Sequence, residues 1–173
     1  MPGETSDGAL VTRVRAGDLG AADELAGRHA DRAWRAALAV TGRRDLADDA
    51  LQDGFERAFR ALDDFDVTRP FGPWLNRIVI NRALSLVQRA RPTQELTEEL
   101  HPVEDGRLET NAEVIDALAH LSPERRTVVV LRVVLGFTPE ECAQALEVPV
   151  GTVHSRLHRA LAELRGVLEV PST

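Results

Sequence analysis

Apolar residues in this chain recur at intervals of three and four, and nowhere do they alternate at the two-residue period of a half-buried strand. Leu46, Ala50, Leu51, Phe55, Ala58, Phe59 and Leu62 mark one helical stripe; Trp74, Leu75, Ile78, Val79, Leu84 and Val87 mark another. An earlier helix pair is predicted over Asp7 to Arg15 and Leu19 to Val40, halted near Gly42, while Pro70 and Pro73 suit the loop and first turn that start the Trp74 helix. Such periodicity dictates an all-α fold.

The helical pattern breaks once. From Arg91 to Asn111 the chain carries Pro92 and Pro102, has no sustained apolar period, and concentrates Glu95, Glu98, Glu99, Glu104, Asp105 and Glu109, which reads as a solvated acidic linker. Two small helical domains are therefore expected, 1–91 and 112–173, joined by residues 92–111. In the second, a helix over Val114 to Leu121 precedes Ser122-Pro123-Glu124, where Ser122 suits an N-cap and Pro123 the first helical position. That helix should run to Leu135 with Arg125 on its outside, and Gly136 should stop it. Thr138-Pro139-Glu140-Glu141 repeats the cap signature, and a last helix is expected to reach about Leu168.

Composition removes several function classes. A hydrophobic share of 43% supports a buried core. The lone Cys142 cannot form an internal disulfide or a cysteine-based zinc site and is expected in the core. No run is long and apolar enough for a membrane span, and Glu4 and Asp7 lie where a signal peptide would carry positive charge, so no membrane insertion and a cytoplasmic location are expected. The net charge of -7 argues against coating nucleic acid by bulk attraction, so any contact with it must use local positive surfaces.

Two such surfaces exist. A short helix, a tight turn and a longer helix from Thr138 to Leu161 form a helix-turn-helix pattern, with no acid between Val148 and Ala162. On the longer helix His154, Ser155, His158 and Arg159 fall opposite Val153, Leu157, Leu161 and Leu164, the arrangement of a groove-reading face, which is favoured over a merely solvated one. The second acid-free stretch, Val67 to Gln94, places Arg77, Asn81 and Ser85 four apart on one helical face. Phe71 and Trp74 there suit base stacking or the core, with the core favoured for Trp74 because it lies on the apolar stripe. Opposite in sign, Asp45, Asp48, Asp49, Gln52, Asp53 and Glu56 give the Leu46 helix an outer face suited to a basic protein surface.

The segments DLADDALQDGFERAFRALDDF and PFGPWLNRIVINRAL, the acidic linker, and LSPERRTVVVLRVVLGFTPEECAQALEVPVGTVHSRLHRALAELR together resemble the two domains of extracytoplasmic-function (ECF) sigma factors of the sigma-70 family, in order and spacing, over about residues 7–168. The resemblance implies a transcription initiation factor without enzymatic activity. Its partners would be core RNA polymerase (the clamp helices of the largest subunit and the flap of the second-largest), promoter DNA and an anti-sigma factor. It implies that Asp45, Asp48, Asp49, Gln52, Asp53 and Glu56 grip polymerase. Arg69, Asn76, Arg77, Asn81 and Ser85, with the Phe65 to Pro73 loop, would read the −10 element, and Arg132, Glu140, His154, Ser155, His158 and Arg159 would contact the −35 element. No catalytic residue, cofactor or metal is expected, since melting would be driven by binding an unpaired base.

Departures from the family habit are visible. His154 stands where a basic residue is common, Ser85 replaces a frequent Asp, and Glu147 occupies a turn position often given to Gly. A left-handed backbone at Glu147 would cost about 1–2 kcal/mol, so the turn is expected to be built differently. A sigma-like decoy that binds an anti-sigma factor or polymerase without reading promoters is the rival function. The pair His154 and His158 also has metal-ligand spacing, but two ligands do not complete a site and DNA contact is preferred.

Overall fold

The computed structural model describes residues 5–90 and 112–168, so the acidic linker predicted over 92–111 lies outside the described residues. Within them the chain forms α1 (Asp7–Arg15), α2 (Leu19–Thr41), α3 (Arg44–Arg60), a 3-10 turn (Leu62–Asp64), α4 (Phe71–Ala90), α5 (Ala112–Ala119), α6 (Pro123–Val129), α7 (Pro139–Leu146) and α8 (Val150–Leu168). No strand occurs among the described residues.

Local chemistry explains most boundaries. The Ser6 hydroxyl accepts from the Ala9 amide at 3.3 Å, and the Asp18 carboxylate accepts from Ala21 at 3.1 Å, so α1 and α2 both start on side-chain caps. Gly42 ends α2 in the left-handed conformation, φ 66°, and returns its N–H to the Leu38 carbonyl. Ser122 caps α6 with Pro123 at its first turn, and Thr138 and Glu141 form a reciprocal capping box on α7.

In the first module α2, α3 and α4 pack around Leu10, Leu25, Val40, Phe71, Leu75, Val79 and Ile80, all essentially inaccessible to solvent. Alanines at 33, 36, 37, 47, 50 and 58 hold the helices close. Gly54 shows how close: a Cβ there would lie 2.5 Å from Val79 Cγ2 and 3.2 Å from its Cα, so only glycine fits where α3 crosses α4. In the second module α6, α7 and α8 enclose Val128, Val130, Leu131, Cys142, Val153 and Ala160.

Two expectations require correction. The helix expected to run to Leu135 widens after Val129 into a π-helical stretch, Val130–Val134. The Leu135 amide reaches the Val130 carbonyl and the Phe137 amide the Leu131 carbonyl, on either side of Gly136 at φ 75°. Glu147 does adopt the left-handed conformation, φ 54° and ψ 42°. The Val148 amide closes on the Ala143 carbonyl at 3.0 Å in a Schellman turn, and that bond with the burial of the turn's apolar flanks outweighs the strain.

The two modules are in contact: α2 and α4 touch α5, α6 and α7. Arg126 crosses the boundary: it is only 8% exposed, its Nη1 donates to the Val40 carbonyl at 3.1 Å, and its Nη2 donates to the carbonyls of Ala119 and Leu121. Val40 O and Ala119 O belong to last-turn carbonyls that have no intrahelical donor, so a buried cation here satisfies groups that would otherwise be orphaned.

Glu147→Gly removes a left-handed penalty of about 1–2 kcal/mol at the expense of about 0.5–1 kcal/mol of added chain freedom. The variant is expected to be more stable by roughly 0.5–1 kcal/mol in urea unfolding; a lower midpoint would mean that the Glu147 side chain itself holds the turn.

Candidate nucleic-acid interface

The helix-turn-helix presents the face expected of it. Val153 and Ala160 are buried against α6 and α7, while His154, Ser155, His158 and Arg159 are exposed on the outer side of α8. Glu140, at the start of α7, is exposed as well. Ser155 Oγ donates to the Thr152 carbonyl at 3.1 Å, which orients its hydroxyl along the helix. Leu161, assigned to the inner side, is 38% exposed, because Ala160 takes the buried position instead.

Arg132 behaves differently from its neighbours in the predicted set. Its Nη1 donates to the Phe137 carbonyl, across the loop that follows the π stretch, and its Nε is buried. In this conformation Arg132 braces the loop before α7 rather than projecting a free guanidinium.

On the first module the picture divides again. Arg77, Asn81 and Ser85 are partly exposed on one side of α4, while Asn76 is 5% exposed and faces the helix bundle. Asn76 cannot touch a strand from there, a consequence of the 100° step between adjacent helical residues that sends 76 and 77 to different faces. Phe71 is 1% exposed and Trp74 half-buried, at 5.5 Å from each other and 5.7 and 4.7 Å from the Phe65 ring. Phe71 is core and Trp74 packs against it, and the cluster anchors the loop before α4.

That loop is built locally. Asp66 accepts from the Thr68 amide and hydroxyl at 3.0 and 2.7 Å, bonds that hold its carboxyl below the ordinary value, and its carboxylate lies 3.7 Å from Arg69, which stays exposed. Arg15 fixes the other end, donating to the carbonyls of Leu62 and Phe65.

The acidic face of α3 is exposed at Asp45, Asp48, Asp49, Gln52 and Glu56, with Asp53 half-buried. Several of its carboxylates already have partners: Asp48 accepts from Trp34 Nε1 at 2.6 Å, Asp53 from Arg82 Nε at 2.6 Å, and Glu56 from Arg60 at 3.0 Å. The Arg43 guanidinium holds the Asp45 carboxyl below its usual range. Asp49 and Gln52 are exposed on the same face.

Two features escaped the sequence. Arg57 of α3 shares a crevice of about 320 Å³ with Ile78, Asn81, Arg82, Ser85 and Arg89 of α4, so Asn81 and Ser85 sit among three guanidiniums. Arg57 lies on a stripe otherwise read as acidic or apolar, and only the α3–α4 crossing brings it there. The other is an apolar groove between α2 and α5, lined by Leu38, Ala39, Ile115, Leu118 and Val134 and rimmed by Asp31 and Arg35. It continues onto exposed Val114, Val133 and Leu161. No cluster of three or more metal-ligating side chains occurs among the described residues, and no described helix is long and apolar enough to cross a membrane.

Two helical modules, the second a helix-turn-helix with an exposed acid-free outer face, define a DNA-binding protein of bipartite design. Comparison with known proteins agrees: the Sigma-70 region 2 family matches residues 25–93 and the Sigma-70, region 4 family residues 111–164. The ECF RNA polymerase sigma factor SigM of Mycobacterium tuberculosis is 38% identical over 95% of this chain and 86% of its own length. The RNA polymerase sigma factor CnrH of Cupriavidus metallidurans is 33% identical over 99% of both. The solved structure of CnrH in complex with the cytosolic domain of CnrY superposes with a TM-score of 0.69 at 32% identity, covering 96% of this chain and 99% of that one. The chain belongs to the ECF sigma factors of the sigma-70 family, which are transcription initiation factors.

Cys142 lies at the centre of the second module, wholly buried, and burial pushes its thiol up to about 11. Alkylation of the native protein at pH 8 is expected to be at least roughly 100-fold slower than that of a free thiol, from the smaller thiolate fraction alone. Reaction should reach the free-thiol rate in denaturant; a fast native rate would mean that the module opens readily.

Proposed function

We propose that this chain directs core RNA polymerase to promoters with −10 and −35 elements and promotes their melting. The exposed, acid-free outer face of α8 carries this reading: with His154, Ser155, His158 and Arg159 clear of the core, the helix can enter a major groove at the −35 element. Glu140 at the start of α7 adds a contact at the edge of that surface, and Arg132 serves it indirectly by bracing the loop before α7. The basic, polar side of α4, Arg77, Asn81 and Ser85, with Arg69 on the preceding loop, suits an unpaired strand at the −10 element.

The chemistry needs no hydrolysis. Unstacking a base costs a few kcal/mol, roughly what a small set of hydrogen bonds and a closed pocket return, so the free energy of binding the single strand drives melting. The protein acts by binding and not as an enzyme. Asp45, Asp48, Asp49, Gln52, Asp53 and Glu56 on α3 dock the basic surface of the largest polymerase subunit, and the module of residues 112–173 reaches the flap of the second-largest. Residues 92–111 join the two DNA-reading modules and thread through the polymerase. Action on polymerase and DNA assigns it to the cytoplasm. The apolar groove between α2 and α5 suits an anti-sigma factor, in keeping with the complex of the related CnrH with the cytosolic domain of CnrY.

A promoter-specific run-off transcription assay with core polymerase tests the reading; a decoy would bind polymerase and yield no specific transcript. Arg159→Ala is expected to lower specific transcription roughly tenfold, the effect of one lost DNA contact, with polymerase affinity intact. Asp49→Arg should weaken polymerase binding by a similar factor through charge reversal on the docking face, with the DNA surfaces unaltered. Equal loss of polymerase binding in both variants would point to misfolding and not to separate surfaces.

A further inference from the structure

The crevice between α3 and α4 has an unusual charge pattern. Its lining, Arg57, Ile78, Asn81, Arg82, Ser85 and Arg89, includes three guanidiniums and no carboxylate, in a protein of net charge -7. Arg82 is committed to Asp53 at 2.6 Å and is only 18% exposed, so its charge is compensated. Arg57 and Arg89 are exposed and have no ion-pair partner among the described residues. An arginine fork matches a phosphate bidentately, and the amide of Asn81 and hydroxyl of Ser85 supply further polar contacts on the same wall. We propose that this crevice seats a backbone phosphate of the unpaired promoter strand, with Arg57 of α3 as a phosphate ligand beside the face formed by Arg77, Asn81 and Ser85. The site rests on the promoter-melting function above.

Counterion release gives the test. Holoenzyme made with the full chain is titrated, over a range of salt concentrations, with a promoter fragment mapped from transcript 5′ ends and left unpaired at the −10 element. Each single-strand phosphate neutralised contributes about 0.7 to the slope of log affinity against log salt, so Arg57→Ala should lower the slope by about 0.7 and Arg57→Lys should largely keep it. Arg13→Ala, on α1 and paired with Asp18, should leave it unchanged. An unaltered slope in Arg57→Ala, or a loss of polymerase affinity in place of a slope change, overturns the site. If the wild-type holoenzyme forms no promoter-specific complex, the function itself fails, a distinct result that removes the site with it.

Discussion

Arginine donating to main-chain carbonyls organises this protein. All 21 basic residues are arginine, and among the described residues five of them donate to main-chain carbonyl groups. Arg15 holds Leu62 and Phe65, Arg28 holds Thr5, Arg77 holds Gln144, Arg126 holds Val40, Ala119 and Leu121, and Arg132 holds Phe137. A planar guanidinium with five donors can serve two or three acceptors at once, and the C-terminal end of a helix carries the partial negative charge that a cation complements. The two modules, each with its own apolar core, meet through this device.

The same chemistry explains how an acidic protein presents basic surfaces. Asp53 of α3 is engaged by Arg82 of α4 and Asp48 by the Trp34 indole of α2, so the helix is tied to both neighbours with exposed carboxylates on its outer side. Across the α3–α4 crossing, made possible by Gly54 against Val79, the charge changes sign within one helix diameter. An acidic face and an arginine-lined crevice therefore adjoin on one helix pair, with the Asp53–Arg82 ion pair between them. Segregation, and not net charge, decides what each surface attracts.

Packing between the modules gives the two surfaces proposed to read DNA unequal standing. The outer side of α8 is free, whereas the side of α4 that carries Arg77 faces the helix-turn-helix. For a factor that must read two promoter elements at once, the relative placement of its modules is itself a variable, and hydrogen bonds from a few arginines are weak enough for polymerase and DNA to replace.

The amino-acid sequence alone determined what depends on near neighbours: the all-helical class, the caps at Ser122 and Thr138, the stop at Gly42, the helix-turn-helix and the outward set on α8. These follow from residues within one or two turns of each other, whose hydrogen bonds and side-chain directions are local. Tertiary structure decided the rest. Asn76 and Arg77 are adjacent, yet one is buried and the other bonds to a helix of the other module. Arg126 is a core residue only because Val40, 86 positions away, offers its carbonyl, and Arg57 joins Asn81 only because two helices cross at a glycine. Glu147 accepts a left-handed backbone because its apolar flanks, Leu146 and Val148, pack against the core. A polar side chain's role depends on which acceptor or charge packing brings within about 3 Å, and no periodicity along the chain encodes that distance.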